Sequence, residues 1–199
     1  MLGMENLFAL GIGVGLSSVA GVRAFLPLAL TALFVALGLS EPPSPYAEVV
    51  GGGGWWSAFD VLAGLALVEI VLDKVPALDH LFNYTMIPVR VFAGAVLFAA
   101  ALGVGLDGGS LPWLAVGAII AGAVAVAKVL LRPSAKRASA GVSTAFLSCF
   151  EDAVGLVGGA LALAVPYLPL VFVAFLLYFF YRVKRRRGRK YGGLRILGD

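Results

Sequence analysis

Long apolar stretches recur along this chain, and they limit what it can fold into more than any other feature. Seven can be drawn, separated by short segments that carry Pro, Gly, Ser or charged residues. A helix of ~20 apolar residues is long enough to cross the hydrocarbon core of a bilayer. The pattern predicts an all-α fold, a polytopic transmembrane helix bundle of six to seven spans. The stretches cover residues 5–20, 23–39, 58–74, 89–106, 113–131, 143–165 and 168–183.

Composition supports a membrane protein. The chain is 61% hydrophobic and 13% charged, whereas a soluble domain has ~25% charged residues; its mean hydropathy is +0.99. We predict one transmembrane domain over residues 1–183 and a basic cytoplasmic tail over 184–199. The single cysteine, Cys149, excludes a disulfide framework and a cysteine metal site. No basic residue precedes the first apolar stretch, so a signal peptide is not indicated.

The first stretch is short. Its 16 residues reach only ~24 Å as a helix. It therefore predicts either a tilted short span or a re-entrant half-helix, and the second alternative leaves six full spans. A break near Ser17–Gly21 is required in either case, because an unbroken run to residue 39 would extend ~50 Å.

Basic residues fall on one side of the predicted membrane. Seven lie between Arg182 and Lys190, and the positive-inside rule places this tail in the cytoplasm. Counting back through seven spans puts loops 74–90 and 132–142 on the same side, while the opposite loops contain no Lys or Arg. We expect an inner (plasma) membrane protein with a cytoplasmic C-terminus and an external N-terminus. The tail is expected to bind anionic lipid.

Two stretches of the sequence are similar to each other. They are SVAGVRAFL at Ser18–Leu26 and ASAGVSTAFL at Ala138–Leu147, each at the cytoplasmic start of an outward-running helix. They suggest three helices, one linker helix and three further helices, which is a parallel repeat. This plan resembles the architecture of sugar transporters of the SWEET type.

Several motifs carry a resemblance to a known family. GLSSVAGVRAFLPLAL, VEIVLDKVPALDH, IPVRVFAGA and the FED of the sixth span resemble a family of small bacterial membrane proteins that is catalogued as a domain of unknown function. The resemblance covers most of the chain outside the basic tail. It implies the architecture and no activity.

Charged residues lie inside the predicted spans, where each costs ~2.5–3.5 kcal/mol on insertion scales. They concentrate in the cytoplasmic half and include both acids and bases, so they are predicted to line a polar pocket open to the cytoplasm. The candidates for a ligand or proton pathway are Arg23, Glu69, Asp73, Arg90, Glu151 and Asp152. Secondary candidates are Ser17, Ser18, Asp79, His80, Ser143, Thr144 and Ser148.

Each candidate also has a purely structural interpretation. Ion pairs at Glu151 and Asp152 can fix helix register, and Asp152 can cap a broken helix. These two acids are ~100° apart on a helix, which predicts that they cannot reach the same partner. Arg23 can extend to lipid headgroups. His80 can relay protons or simply be solvated.

Three functions remain open. The first is a small transporter or channel for a polar or anionic solute, or a proton-coupled one. The second is a lipid-handling protein whose arginines bind phosphate headgroups. The third is a non-catalytic assembly or scaffold protein, and a homo-oligomer is expected through Gly-rich helix faces. The glycine pairs with GxxxG spacing, Gly11/Gly15 and Gly155/Gly159, are expected to serve close packing between helices.

The sequence contains no pattern that indicates catalysis. No catalytic triad, dinucleotide loop or metal-ligand set is visible. We therefore expect a protein that is not an enzyme and that has no cofactor, no metal and no nucleic-acid partner.

Overall fold

The computed structural model describes residues 4–41, 54–75, 79–104, 108–131 and 144–192. Within these ranges all regular structure is helical, which confirms the predicted all-α class. A 3-10 turn at Gly108–Ser110 precedes the sixth of eight α-helices found there. The helices are α1 Met4–Val22, α2 Phe25–Ala36, α3 Gly54–Asp73, α4 Asp79–Thr85, α5 Ile87–Ala101, α6 Leu111–Leu131, α7 Thr144–Ala162 and α8 Leu168–Gly192.

Helix α1 lies at the centre of the bundle. Val19 and Val22 pack with apolar residues of α6, α7 and α8 in one buried cluster. Leu16 and Ala20 pack with residues of α5 in a second cluster. The break predicted near Ser17–Gly21 lies instead at Arg23–Ala24, because α1 is one continuous helix of 19 residues that ends at Val22. The helix is ~28 Å long, and it holds the two clusters together.

Three helical segments among the described residues are long and apolar enough to cross a bilayer by length and composition. They are Gly54–Asp73, Phe82–Ala101 and Leu111–Leu131. Leu7–Val22 and Phe25–Ala36 are shorter apolar helices. The middle segment begins inside the predicted inner loop, because α4 and α5 follow each other with only Met86 between them. Part of that loop is therefore helical.

Helices α2, α5 and α7 end at least three residues earlier than the apolar pattern predicts, and the first two show why. The predicted spans run to residues 39 and 106, but α2 ends at Ala36 and α5 at Ala101. Gly38 (φ 71°) and Gly103 (φ 64°) follow these ends in the left-handed conformation. At α2, the N–H of Leu39 donates to the carbonyl of Phe34 at 2.9 Å. This is the Schellman pattern, which closes a helix whatever the hydropathy beyond it.

Successive long helices run in opposite directions, and this brings their charged ends together. Contacts join the C-terminal ends of α3 and α6 to the junction between α1 and α2 and to the N-terminal parts of α5 and α7. The alternating helix directions therefore place the charged residues at one end of the bundle, as predicted.

Helix α8 continues beyond the predicted seventh span. It extends to Gly192, whereas the apolar pattern ends at residue 183. The change at residue 183 is therefore one of composition and not of secondary structure. Near this point the ammonium of Lys184 donates to the carbonyl oxygen of Leu130 at 2.7 Å, which ties α8 to the end of α6.

The glycine pairs with GxxxG spacing pack against other parts of the same chain. A Cβ on Gly15 would lie 3.2 Å from the carbonyl oxygen of Pro166, and one on Gly159 would lie 2.7 Å from the Leu30 side chain. Both pairs are thus used in packing within one chain. The predicted homo-oligomer stays a prediction.

Helices α5 and α6 pack closely at Gly117, and this contact supports a testable prediction. A Cβ on Gly117 would lie 2.5 Å from the Cβ of Phe98 and 3.0 Å from the Cα of Ala95. Gly117→Ala should therefore lower the free energy of unfolding by ~1–3 kcal/mol through overpacking. Thermal unfolding in detergent measures this.

The matched control for this prediction is Gly64→Ala. Gly64 lies in the interior of α3, with no atom within 4 Å of a Cβ built there. The same substitution should leave the melting temperature unchanged or raise it, because alanine is the better helix former by ~1 kcal/mol. Equal destabilisation by both changes would contradict the packing described here.

Candidate functional site

The site is built around the break between α1 and α2. Here the backbone N–H groups of Ala24 and Phe25 donate to the two carboxylate oxygens of Glu69, each at 3.2 Å. On the other side of the break, the ammonium of Lys128 donates to the carbonyl of Val22 at 3.0 Å. Backbone groups at a helix break must find partners in a membrane. Charged side chains from α3 and α6 provide them.

Arg23 is the hub of the site. Its guanidinium Nη2 lies 2.8 Å from Oδ2 of Asp73, 2.6 Å from Oδ1 of Asp152 and 3.6 Å from Oε2 of Glu151. The same nitrogen is 3.1 Å from the hydroxyl of Ser148. The Arg23 side chain is fully buried. One residue in the α1–α2 junction thus contacts carboxylates of both α3 and α7.

A second branch runs from Arg23 towards α5. Asp73 accepts a hydrogen bond from the side-chain amide of Asn83 at 3.0 Å. The amide oxygen of Asn83 accepts from both terminal nitrogens of Arg90 at 3.3 Å. Nη2 of Arg90 lies 3.5 Å from Oε1 of Glu69. Asn83 therefore joins the Arg23 and Arg90 branches.

Two lysines complete the cluster. Nζ of Lys128 is 2.7 Å from Oε2 of Glu151, and both side chains are fully buried. Nζ of Lys74 is 2.6 Å from Oδ2 of Asp152, and these side chains are 35% and 20% exposed. The cluster has a buried interior and one partly exposed pair at its edge.

The charges of this cluster balance when all are ionised. Four cations face four carboxylates, and we call the eight residues the ionic network. Neutrality matters because an unpaired charge in a low-dielectric interior is costly. The members are Arg23, Lys74, Arg90, Lys128, Glu69, Asp73, Glu151 and Asp152.

Some buried donors of the network are left without a partner by the residues that the structure describes. Nε and Nη1 of Arg23, and Nε of Arg90, have no hydrogen-bond partner among the described residues. All the ion pairs of Arg23 are made through Nη2. Buried donors without partners cost free energy, and they can accept a ligand or water as a partner.

The six primary candidates from the sequence all belong to the ionic network. Of the secondary candidates, Ser148 joins it by donating to Asp73 at 3.0 Å. Ser17 donates instead to the carbonyl of Gly94, and Ser18 to the carbonyl of Gly15. These two hydroxyls satisfy helix backbone and do not contact the network. Ser143 and the side chains of Asp79, His80 and Thr144 lie outside the described residues.

The prediction that Glu151 and Asp152 cannot reach the same partner was wrong. Both carboxylates approach Nη2 of Arg23. The angle of ~100° between successive helical side chains applies to their directions on α7, but Arg23 reaches from another helix into the angle between them. The two acids then diverge to separate lysines, Lys128 and Lys74.

Three residues of the site were not among the candidates predicted from the sequence. Lys128 is a single ammonium in the last turn of an otherwise apolar helix, and that isolation was the available signal. Asn83 lies seven residues before Arg90, two helical turns away, which places both on one face. Lys74 follows the end of α3 and pairs with Asp152.

The outer surface of the bundle is apolar. Phe92, Ile119 and Leu67 are 71%, 69% and 62% exposed, while charged residues lie fully buried inside. This inversion of a soluble fold suits a lipid environment. Fold and site together define a polytopic all-α membrane protein with a buried ionic network at one end.

Comparison with known proteins gives the family. Residues 10–186 match DUF4126, described as a domain of unknown function, and the chain belongs to this family. The resemblance inferred from the motifs is thereby confirmed at the level of an uncharacterised family. No curated protein and no solved structure matches the chain.

Proposed function

We propose that the protein is a small transporter or channel of the inner membrane, and that the ionic network is its working part. One observation carries this proposal. The fully buried guanidinium groups of Arg23 and Arg90 keep N–H groups that no described residue binds. A scaffold gains nothing from buried donors that lack partners, whereas a site for a polar or anionic solute requires them.

The break between α1 and α2 supports the same proposal. Interrupted helices in transporters direct their free N-terminal N–H groups at anionic groups near the substrate. Here the N-terminus of α2 faces the carboxylate of Glu69, beside Arg90. The arrangement provides both a positive helix end and charged side chains beside it.

Helix α3 is suited to movement within such a transporter. Its buried residues are Ala66, Glu69 and Asp73, and two of these three carry charge. Helix α3 packs mainly on α2, and its two buried carboxylates contact the α1–α2 junction, α4 and α5. Changing their partners would change the position of α3.

The orientation is part of the proposal. The basic residues of α8, including Arg182 and Lys184, would lie in the cytoplasm by the positive-inside rule. There they would contact anionic lipid. The ionic network would then open to the cytoplasmic side, at the end of the bundle that carries Lys74 and Asp152. We propose no catalytic reaction for this chain.

Flux through proteoliposomes tests the proposal. Vesicles with and without the protein are exposed to osmotic gradients of potassium acetate, potassium phosphate and glycerol, and swelling is followed by light scattering. We expect at least one solute to enter faster when the protein is present. Heat-denatured protein, reconstituted in the same way, is the control. Rates equal to those of protein-free vesicles for every solute would favour the scaffold function.

A further inference from the structure

Glu69 lies in a cradle of donors that would suit any small oxyanion. Its two oxygens accept the N–H groups of Ala24 and Phe25 at the start of α2. The guanidinium of Arg90 approaches one of these oxygens at 3.5 Å. Helix N-termini bind carboxylate and phosphate groups through these N–H groups and the helix dipole.

Arg90, which contacts Glu69, and Arg23, which precedes Ala24, both keep buried donors that no described residue uses. Nε of Arg90 is buried without a partner among the described residues, and Arg23, next to Ala24, has two such nitrogens. Both guanidinium groups are fully buried. These donors are a second, independent indication of a ligand.

Glu69 is also the carboxylate of the network that is least tied to a cation. Among the described residues, its closest cationic nitrogen is 3.5 Å away, on Arg90. The corresponding distances are 2.8 Å for Asp73, 2.7 Å for Glu151 and 2.6 Å for Asp152. Displacing Glu69 therefore breaks the longest, and so the weakest, of these four ion pairs.

We propose that the cradle binds the carboxylate or phosphate group of a ligand in exchange for Glu69, and that the displaced Glu69 carries a proton. This deepens the proposed function and rests on it. The proton comes from solvent and forms an O–H bond on Glu69, while no bond of the ligand breaks. One anion replaces one carboxylate charge, so the ionic network stays neutral.

The groups around Glu69 make protonation a condition of its displacement. Arg90 approaches it from α5, Arg23 lies beside it in the α1–α2 junction, and Asp73 shares its face of α3. Asn83 and Glu151 contact those arginines from α4 and α7. A displaced Glu69 that stayed ionised would be an extra negative charge beside Asp73, which a proton removes.

Acetate binding to the purified protein in detergent tests the proposal. Affinity is measured by the acetate-dependent rise in melting temperature at constant ionic strength, with chloride as the reference anion. If one proton enters with each anion, the apparent affinity should rise as pH falls, by up to about tenfold for each pH unit. Binding without pH dependence would overturn the proposal, and so would the absence of any effect of acetate, inorganic phosphate and phosphatidic acid.

The variant Glu69→Gln removes the competing charge and the titrating group. It should bind acetate more tightly than the native protein at about pH 8, with a slope against pH near zero. Asp60→Asn is the matched control, because Asp60 lies exposed on the same helix and should leave affinity and slope unchanged. If Glu69→Gln does not fold, the pH dependence of acetate affinity in the native protein still tests the proposal.

A further comparison tests whether the ligand is a free solute or a lipid headgroup. Short-chain phosphatidic acid and inorganic phosphate are compared with acetate in the same assay. Protection by phosphatidic acid alone, with the same pH slope, would support the oxyanion cradle but contradict transport of a free solute. Conversely, flux that is unaffected in Glu69→Gln would support transport and overturn the cradle.

Discussion

Replacing Arg23 with Gln is expected to lower the free energy of unfolding by at least ~3–5 kcal/mol. This is the cost of removing one partner of a buried ion pair and leaving the other charge unpaired. Arg23 contacts three carboxylates through one nitrogen. Its loss leaves Asp73 without its closest cation and gives the network a net negative charge. The change should appear as a large fall in melting temperature in detergent, or as failure to recover folded protein.

Arg182→Gln is the matched control for this prediction. Arg182 lies exposed on α8, and the same substitution there should change stability by less than ~0.5 kcal/mol. Arg23→Lys should fall between the two, because an ammonium is a compact point charge without the planar fork of a guanidinium. A melting temperature unchanged in Arg23→Gln would show that the network does not hold the bundle together.

The pair formed by Lys128 and Glu151 gives the second large effect. Lys128→Met should cost ~3–5 kcal/mol, because Glu151 loses the ammonium 2.7 Å away. The double variant Lys128→Met, Glu151→Gln removes one charge of each sign, so the network stays neutral. It should be more stable than Lys128→Met alone, which is strong coupling in a double-mutant cycle.

Lys184→Met controls for the loss of a lysine. Its ammonium also donates to a backbone carbonyl, that of Leu130, but it is exposed. The expected cost is below ~1 kcal/mol. If the two single lysine variants were equally stable, or if the double variant were no better than Lys128→Met, burial of a true ion pair at this position would be contradicted.

Much of the fold could be predicted because a bilayer leaves few choices. Apolar stretches of span length must be helices, and the positions of α1, α3, α6 and α7 follow from them. The gathering of Arg23, Glu69 and Glu151 also follows, because alternating helices return charged ends to one side. These predictions depend on the length and spacing of the apolar stretches, which can be read directly from the sequence.

The remaining features depend on contacts that hydropathy does not encode. The ends of α2 and α5 are set by Gly38 and Gly103 in left-handed conformation, not by where the apolar residues stop. The partner of Lys128 depends on how α6 lies against α7 in three dimensions. Glu151 and Asp152 both contact Arg23 because the Arg23 side chain approaches them from another part of the bundle.

The most direct test of a working role for the ionic network uses the neutral double variant Lys128→Met, Glu151→Gln in proteoliposomes. It should fold, because the network keeps its charge balance. Yet its solute flux should be at least ~10-fold lower than that of the native protein. This corresponds to a rise of ~1.4 kcal/mol or more in the free-energy barrier to transport. A folded double variant with native flux would contradict the account and leave the network a scaffold.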